Sequence, residues 1–137
     1  MFIHEKPEIY DSLKEKFDID WDNGVIITYG NKIYSKFQLD YLKQIHELTH
    51  VRQQLAYGVQ KWWNEYVDNP KFRLEQELEA YRNEVAALFR KSKDREFRGR
   101  YMTQCAKDLS SAMYGNMIEY MNARTLLRYN ENHRNFN

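Results

Sequence analysis

Tyr41-Leu42-Lys43-Gln44-Ile45-His46-Glu47-Leu48-Thr49-His50-Val51-Arg52-Gln53-Gln54-Leu55-Ala56-Tyr57-Gly58 is the stretch on which the reading of this chain turns. Tyr41, Leu42, Ile45, Leu48, Leu55 and Ala56 recur at helical spacing and are predicted to form a buried face. Just before them, Ser35-Lys36-Phe37-Gln38 has the form of a capping box, so the helix is predicted to begin there. Gly58 is placed to end it in the left-handed conformation. Inside the helix lies His46-Glu47-Leu48-Thr49-His50, an H-E-x-x-H sequence.

The spacing has a chemical meaning on a helix. Positions i and i+4 share a face, so both imidazoles can reach one ion at about 2.0 to 2.1 Å from each nitrogen. Glu47 is turned by about 100° and serves instead to bond a water held on the metal and accept its proton as that water attacks a carbonyl. Two histidines leave a catalytic zinc short of its usual three protein ligands. His4 and His133 lie near the termini, in segments with little to hold them, so the next long helix is the better source. There, Leu74, Leu78, Tyr81 and Val85 form the expected buried stripe. Glu77 falls on its flank, while Glu75 and Glu79 turn towards solvent. Glu77 is the predicted third ligand. Glu84, seven residues on, shares that flank as second candidate or as a partner to a ligand, and a different helix rotation would bring in Glu79.

Upstream, Ile9, Leu13 and Phe17 predict a short amphipathic helix over 8–17. Val25 to Tyr29 is rich in β-branched and aromatic residues, and Gly30-Asn31 before Lys32-Ile33-Tyr34 predicts a two-residue hairpin loop. Downstream, Trp62, Trp63, Tyr66 and Val67 predict a short helix, and Asn69-Pro70 caps the long one. One or two further helices follow Gly99, broken near Gly115, before a polar tail frays from Tyr129. The expected fold class is therefore mainly α with one β-hairpin, an α+β domain.

This segment, His46-Glu47-Leu48-Thr49-His50-Val51-Arg52-Gln53-Gln54 with Glu77-Leu78-Glu79-Ala80 downstream, resembles the gluzincin zinc metallopeptidases, in which H-E-x-x-H precedes a glutamate ligand in E-x-x-A. Small single-domain members, some encoded by bacteria and their phages, are the closest likeness. The resemblance spans roughly Val25 to Tyr81. It implies a zincin-like fold, a zinc ion on His46, His50 and Glu77, Glu47 as general base, and a peptide cleft lined by the strand before the helix. The chain departs from the pattern at Tyr81, where many relatives carry Asp, and no residue matches their oxyanion-stabilising Tyr, His or Arg.

Composition sets the outer bounds. With 137 residues, 42% hydrophobic, and 11 Tyr, 7 Phe and 3 Trp, the chain can form one core, and a single domain over 1–137 is expected. Only 5 Gly and 2 Pro argue against a many-stranded barrel. Lys plus Arg number 21 against 20 Asp plus Glu, so no global field calls for a nucleic-acid partner. Arg90 to Arg100 holds six basic and two acidic residues, which reads as a charged inter-helix surface, with a nucleic-acid-binding helical module the weaker alternative. The lone Cys105 excludes an internal disulfide and reads as buried and inert. Trp62-Trp63 reads as core or wall, and Met102, Met113, Met117 and Met121 as fillers between helices. Lacking a signal-like apolar run or membrane span, the chain is expected to be cytoplasmic, with a peptide or protein as its partner. The function predicted from sequence is zinc-dependent peptide hydrolysis, with a metal-binding or interaction protein lacking turnover as the other reading. The oligomeric state is left open.

Overall fold

The computed structural model describes residues 1–128; the tail from Tyr129 and His133 lie outside the described residues. The chain runs β1 (Phe2–Ile3), α1 (Tyr10–Lys16), β2 (Ile26–Tyr29), β3 (Lys32–Ser35), α2 (Tyr41–Tyr57), α3 (Val59–Asp68), α4 (Pro70–Lys91), α5 (Arg95–Leu109) and α6 (Tyr120–Leu126), with short 3-10 turns at Trp21–Asn23 and Ala112–Tyr114. It is mainly helical with a small sheet, an α+β arrangement.

The hairpin gains a third strand. β1 joins β3 in parallel, giving the order β1-β3-β2, and leaves β2 at an edge. His4, expected to be loosely held, follows β1 and contacts the Ser35 carbonyl through Nδ1 at 2.9 Å. Gly30, at φ 63°, takes the first loop position, where a tight hairpin demands a conformation that side chains resist. Ladder alternation then fixes the free edge. The Thr28 carbonyl points away from β3 and accepts from Gln54 Nε2 at 2.8 Å, so the N–H and C=O of Ile26, two residues earlier, face outward on the same side.

α2 starts later than the capping box implied. Ser35 closes β3 and donates to the Phe37 carbonyl, whereas Asp40 is the N-cap and accepts from Lys43 N at 2.9 Å. The predicted apolar face is also corrected. Of its six members only Leu42 is buried, Ile45 is half-buried, and Tyr41, Leu48, Leu55 and Ala56 are exposed. The buried face is His46, Glu47, Thr49, His50 and Gln54. At about 100° per residue Leu48 lies roughly 200° from His46, so one of the two faces had to turn outward. Gly58 does end α2, but at φ 103° and ψ 122°, outside the left-handed helical region, because it also leads directly into α3.

Asn69 caps α4 as expected, its Oδ1 accepting from Lys71 N and Phe72 N. Gly99 lies within α5 rather than at its boundary, and Arg98 in the basic segment donates to the Ser92 and Phe89 carbonyls that end α4. Met102 is buried, but Met121 is 70% exposed and fills no gap. Three apolar clusters result among the described residues, the smallest being Leu42, Ala87 and Leu88 between α2 and α4. Of the two larger, one gathers Tyr10, Leu13, Trp21, Ile27, Trp62, Trp63 and Tyr66; the other gathers Tyr81, Val85, Met102, Cys105, Ala106, Leu109, Ala123 and Leu127.

Candidate metal centre

α2 and α4 contribute the buried polar groups, and the two larger apolar clusters supply groups that hold them. His46, Glu47 and His50 each offer a ligand atom within 4.8 Å of the others, a buried group able to hold a metal ion. Glu77 of α4 adds a tighter contact. His46 Nε2 lies 3.2 Å from His50 Nε2 and 3.2 Å from Glu77 Oε1, and His50 Nε2 lies 3.3 Å from that same oxygen. Glu75 and Glu79 are exposed, as the helical stripe predicted.

The far side of each imidazole is occupied. His46 Nδ1 meets Glu84 Oε1 at 2.9 Å, and His50 Nδ1 meets Gln53 Oε1 at 2.8 Å. Both acceptors favour a proton on Nδ1, which leaves both Nε2 lone pairs facing the Glu77 oxygen. With both imidazoles neutral, three acceptor atoms thus converge with no donor among them. An ion with bonds of about 2.05 Å and tetrahedral angles separates its ligands by roughly 3.3 Å, the size of this triangle. Residues and geometry therefore fit a small divalent cation.

The charge around the triangle agrees. Burial opposes an imidazolium at His46, but the hydrogen bonds it donates to Glu77 and Glu84 and the charge of Glu47 outweigh it and push His46 up to about 10. Burial likewise opposes a charge on His50, and Glu77 outweighs it and raises that group. Glu77 resists burial in the opposite sense: His50 and His46 hold its carboxyl well below the usual range. The pocket calls for positive charge at its centre, which a proton or a metal ion can supply.

Glu84, the second candidate on that flank, backs His46 at Nδ1 and does not face the triangle. Its other oxygen takes the Tyr101 hydroxyl at 2.5 Å and Lys43 Nζ at 3.0 Å. Burial disfavours the Lys43 ammonium, and Glu84 overcomes this and holds it up to about 12. Several partners carried no sequence signal. Thr28 of β2 donates to Glu47 Oε1 at 2.9 Å, and Tyr66 of α3 donates to Glu77 Oε2 at 2.6 Å. Gln54, wholly buried, ties α2 to the hairpin through Thr28 O and Gly30 N. Tyr114 reaches the site from the turn after α5, where Arg73 Nε fixes its carbonyl at 3.1 Å and Tyr81 meets its hydroxyl at 3.0 Å. These contacts join residues remote in sequence, so no motif spacing exposes them.

A cavity of about 50 Å³ lies against His46, His50, Glu47 and Glu77. A larger cleft of about 420 Å³ opens beside it, bounded by Val25, Ile26 and Ile27 on one side and by His46, Glu47, Tyr81 and Tyr114 on another. Comparison with known proteins finds no matching family, curated protein or solved structure. No helix among the described residues is long and apolar enough to cross a membrane.

Proposed function

We propose that this chain is a zinc-dependent metallopeptidase of zincin-like, gluzincin type, in which His46, His50 and Glu77 hold one zinc ion and Glu47 is the general base. The observation carrying the reading is the triangle of three acceptor atoms, 3.2, 3.2 and 3.3 Å apart, whose two imidazoles are already satisfied at Nδ1. Two nitrogens and one carboxylate oxygen suit zinc and leave a fourth position for chemistry. Zinc bound there would supply Lewis acidity, making water easier to deprotonate and a carbonyl easier to attack.

The chain's own groups account for the rest. Thr28 restrains Glu47 at Oε1, leaving Oε2 on the His46 side, 3.7 Å from Nε2, to take a proton and return it to the leaving amine. The outward N–H and C=O of Ile26 can pair with an extended peptide lying in the cleft. Tyr66 and Tyr114 line the small cavity, and their hydroxyls are kept protonated, by burial first and then by Glu77.

The test pairs metal analysis with Glu47→Gln on a mixed peptide library. The expected result is one zinc per chain in both proteins, with activity in the variant reduced at least 100- to 10,000-fold, the worth of a general base. A wild type that holds zinc but cleaves nothing would favour the metal-binding protein without turnover. A chain that takes up no zinc would end the reading.

A further inference from the structure

We propose that the indole N–H of Trp63 is a substrate-binding donor that takes a main-chain carbonyl of an extended peptide in the cleft; this rests on the metallopeptidase reading. Trp63 is 9% exposed, and its Nε1 is the only buried side-chain nitrogen or oxygen among the described residues that has no hydrogen-bond partner. Its neighbour Trp62 shows the ordinary arrangement, with Nε1 donating to Gln76 Oε1 at 2.8 Å. Folded proteins rarely leave a buried donor unused, and a specific exception points to a role.

Location indicates which role. Trp63 borders both the small cavity at the His46, His50 and Glu77 triangle and the larger cleft that leads to it. Ile26, with its outward backbone groups, lines the same two spaces. An indole N–H only donates, so its partner must be an acceptor. The cleft is also lined by Asp18, Asp20, Glu47 and Asp108, while its one lysine, Lys43, is already paired with Glu84. An anionic acceptor would meet like charge there, and a neutral amide carbonyl would not. An extended peptide presents successive carbonyls to opposite sides, so one strand can pair with Ile26 and offer its next carbonyl to Trp63. Trp63 is thus a binding residue that no motif marks.

The test uses ¹⁵N-labelled, zinc-loaded Glu47→Gln, titrated with the blocked peptide acetyl-Ala-Phe-Leu-Ala-amide. The Trp63 indole resonance, assigned by its loss in Trp63→Phe, should move downfield and exchange more slowly with water. In the otherwise wild-type enzyme, 3-benzothienylalanine at position 63 replaces the N–H by sulfur and keeps the ring outline. It should raise KM about threefold to tenfold, leave kcat nearly unchanged, and not lower the thermal midpoint, since the free protein loses no hydrogen bond. If the peptide shifts the backbone resonances of 26–28 but leaves the indole unmoved, or if the sulfur variant keeps its KM, Trp63 is only wall and the peptidase reading stands. If the wild type cleaves no peptide and the peptide moves no resonance, both fall together.

Discussion

Removing metal from this protein should make its stability depend on pH between neutrality and pH 10, and restoring zinc should abolish that dependence. Without metal, the positive charge among Glu47, Glu77 and Glu84 must be a proton on the imidazoles. His46 holds such a proton up to about 10, against 6.5 for an ordinary histidine. A folded-state value raised above the unfolded one stabilises the fold fully below pH 6.5 and loses that contribution as pH rises through 10. His46 is 3% exposed, so solvent screens the interaction little. For this pair of values the linkage relation gives ~4 kcal/mol at pH 7 and ~1 kcal/mol at pH 9.5, a fall of ~3 kcal/mol. Glu77 shares the hydrogen bond with His46, so the interaction is counted once. The assay is urea unfolding at the two pH values, with a chelator or with saturating zinc. Zinc at about a thousand times its dissociation constant adds ~4 kcal/mol and replaces the proton, so the loaded protein should show a nearly flat profile. A chelated protein equally stable at pH 7 and 9.5 would refute the picture of carboxylates closed around two imidazoles.

Glu77→Ala should lower zinc affinity by orders of magnitude while Glu79→Ala leaves it within about threefold, because Glu79 is exposed and contacts Gln53 and Arg52 instead of the triangle; competition with a chromogenic chelator reads both. Glu84→Gln should weaken zinc binding about 10- to 100-fold without removing a ligand, since it loosens the acceptor that orients His46. Ile26→Pro removes an outward N–H without touching a ladder bond, so KM should rise with zinc content unchanged; loss of zinc in that variant would make β2 a support and not a substrate edge.

The triangle was more legible than its surroundings because H-E-x-x-H and the stripe containing Leu74, Tyr81 and Val85 are both governed by one helical period. That period puts His46, His50 and Glu77 on inward faces, and all are buried. The same arithmetic could have corrected the apolar face of α2. Leu48 and His46 cannot both point inward, and treating the histidines as the inward set would have exposed Leu48 and Leu55. The shift of the helix start from Ser35 to Asp40 has a different cause: Ser35 pairs with Ile26 in the sheet, a long-range constraint that overrides a local capping pattern. β1 has two residues, too few for any periodicity, and is defined only by its partner β3. Thr28, Tyr66 and Tyr114 were invisible for a similar reason, since each meets the site by tertiary packing.

The two larger apolar clusters have a use in the chemistry between them. A carboxylate beside two imidazoles can rotate and offer either oxygen, and a metal ligand must not. Glu77 is stopped by Tyr66, which holds Oε2 and leaves Oε1 for the histidines; Glu84 is stopped by Tyr101, which holds Oε2 and leaves Oε1 for His46. Burial, reinforced by the adjacent carboxylate, pushes both phenols above their usual range, so they remain donors across the working pH. Tyr66 belongs to the cluster built on α1, β2 and α3, whereas Tyr101 packs against the one built on α4, α5 and α6. Each of the two larger clusters therefore fixes one carboxylate, and the triangle keeps its shape only while both stay packed. This gives the phenolic rings a use that phenylalanine could not meet, in a chain where Tyr outnumbers Phe 11 to 7. It also locates sensitivity away from the triangle: Leu109, wholly buried at the C-terminal end of α5, should matter to zinc affinity through the packing that holds Tyr101.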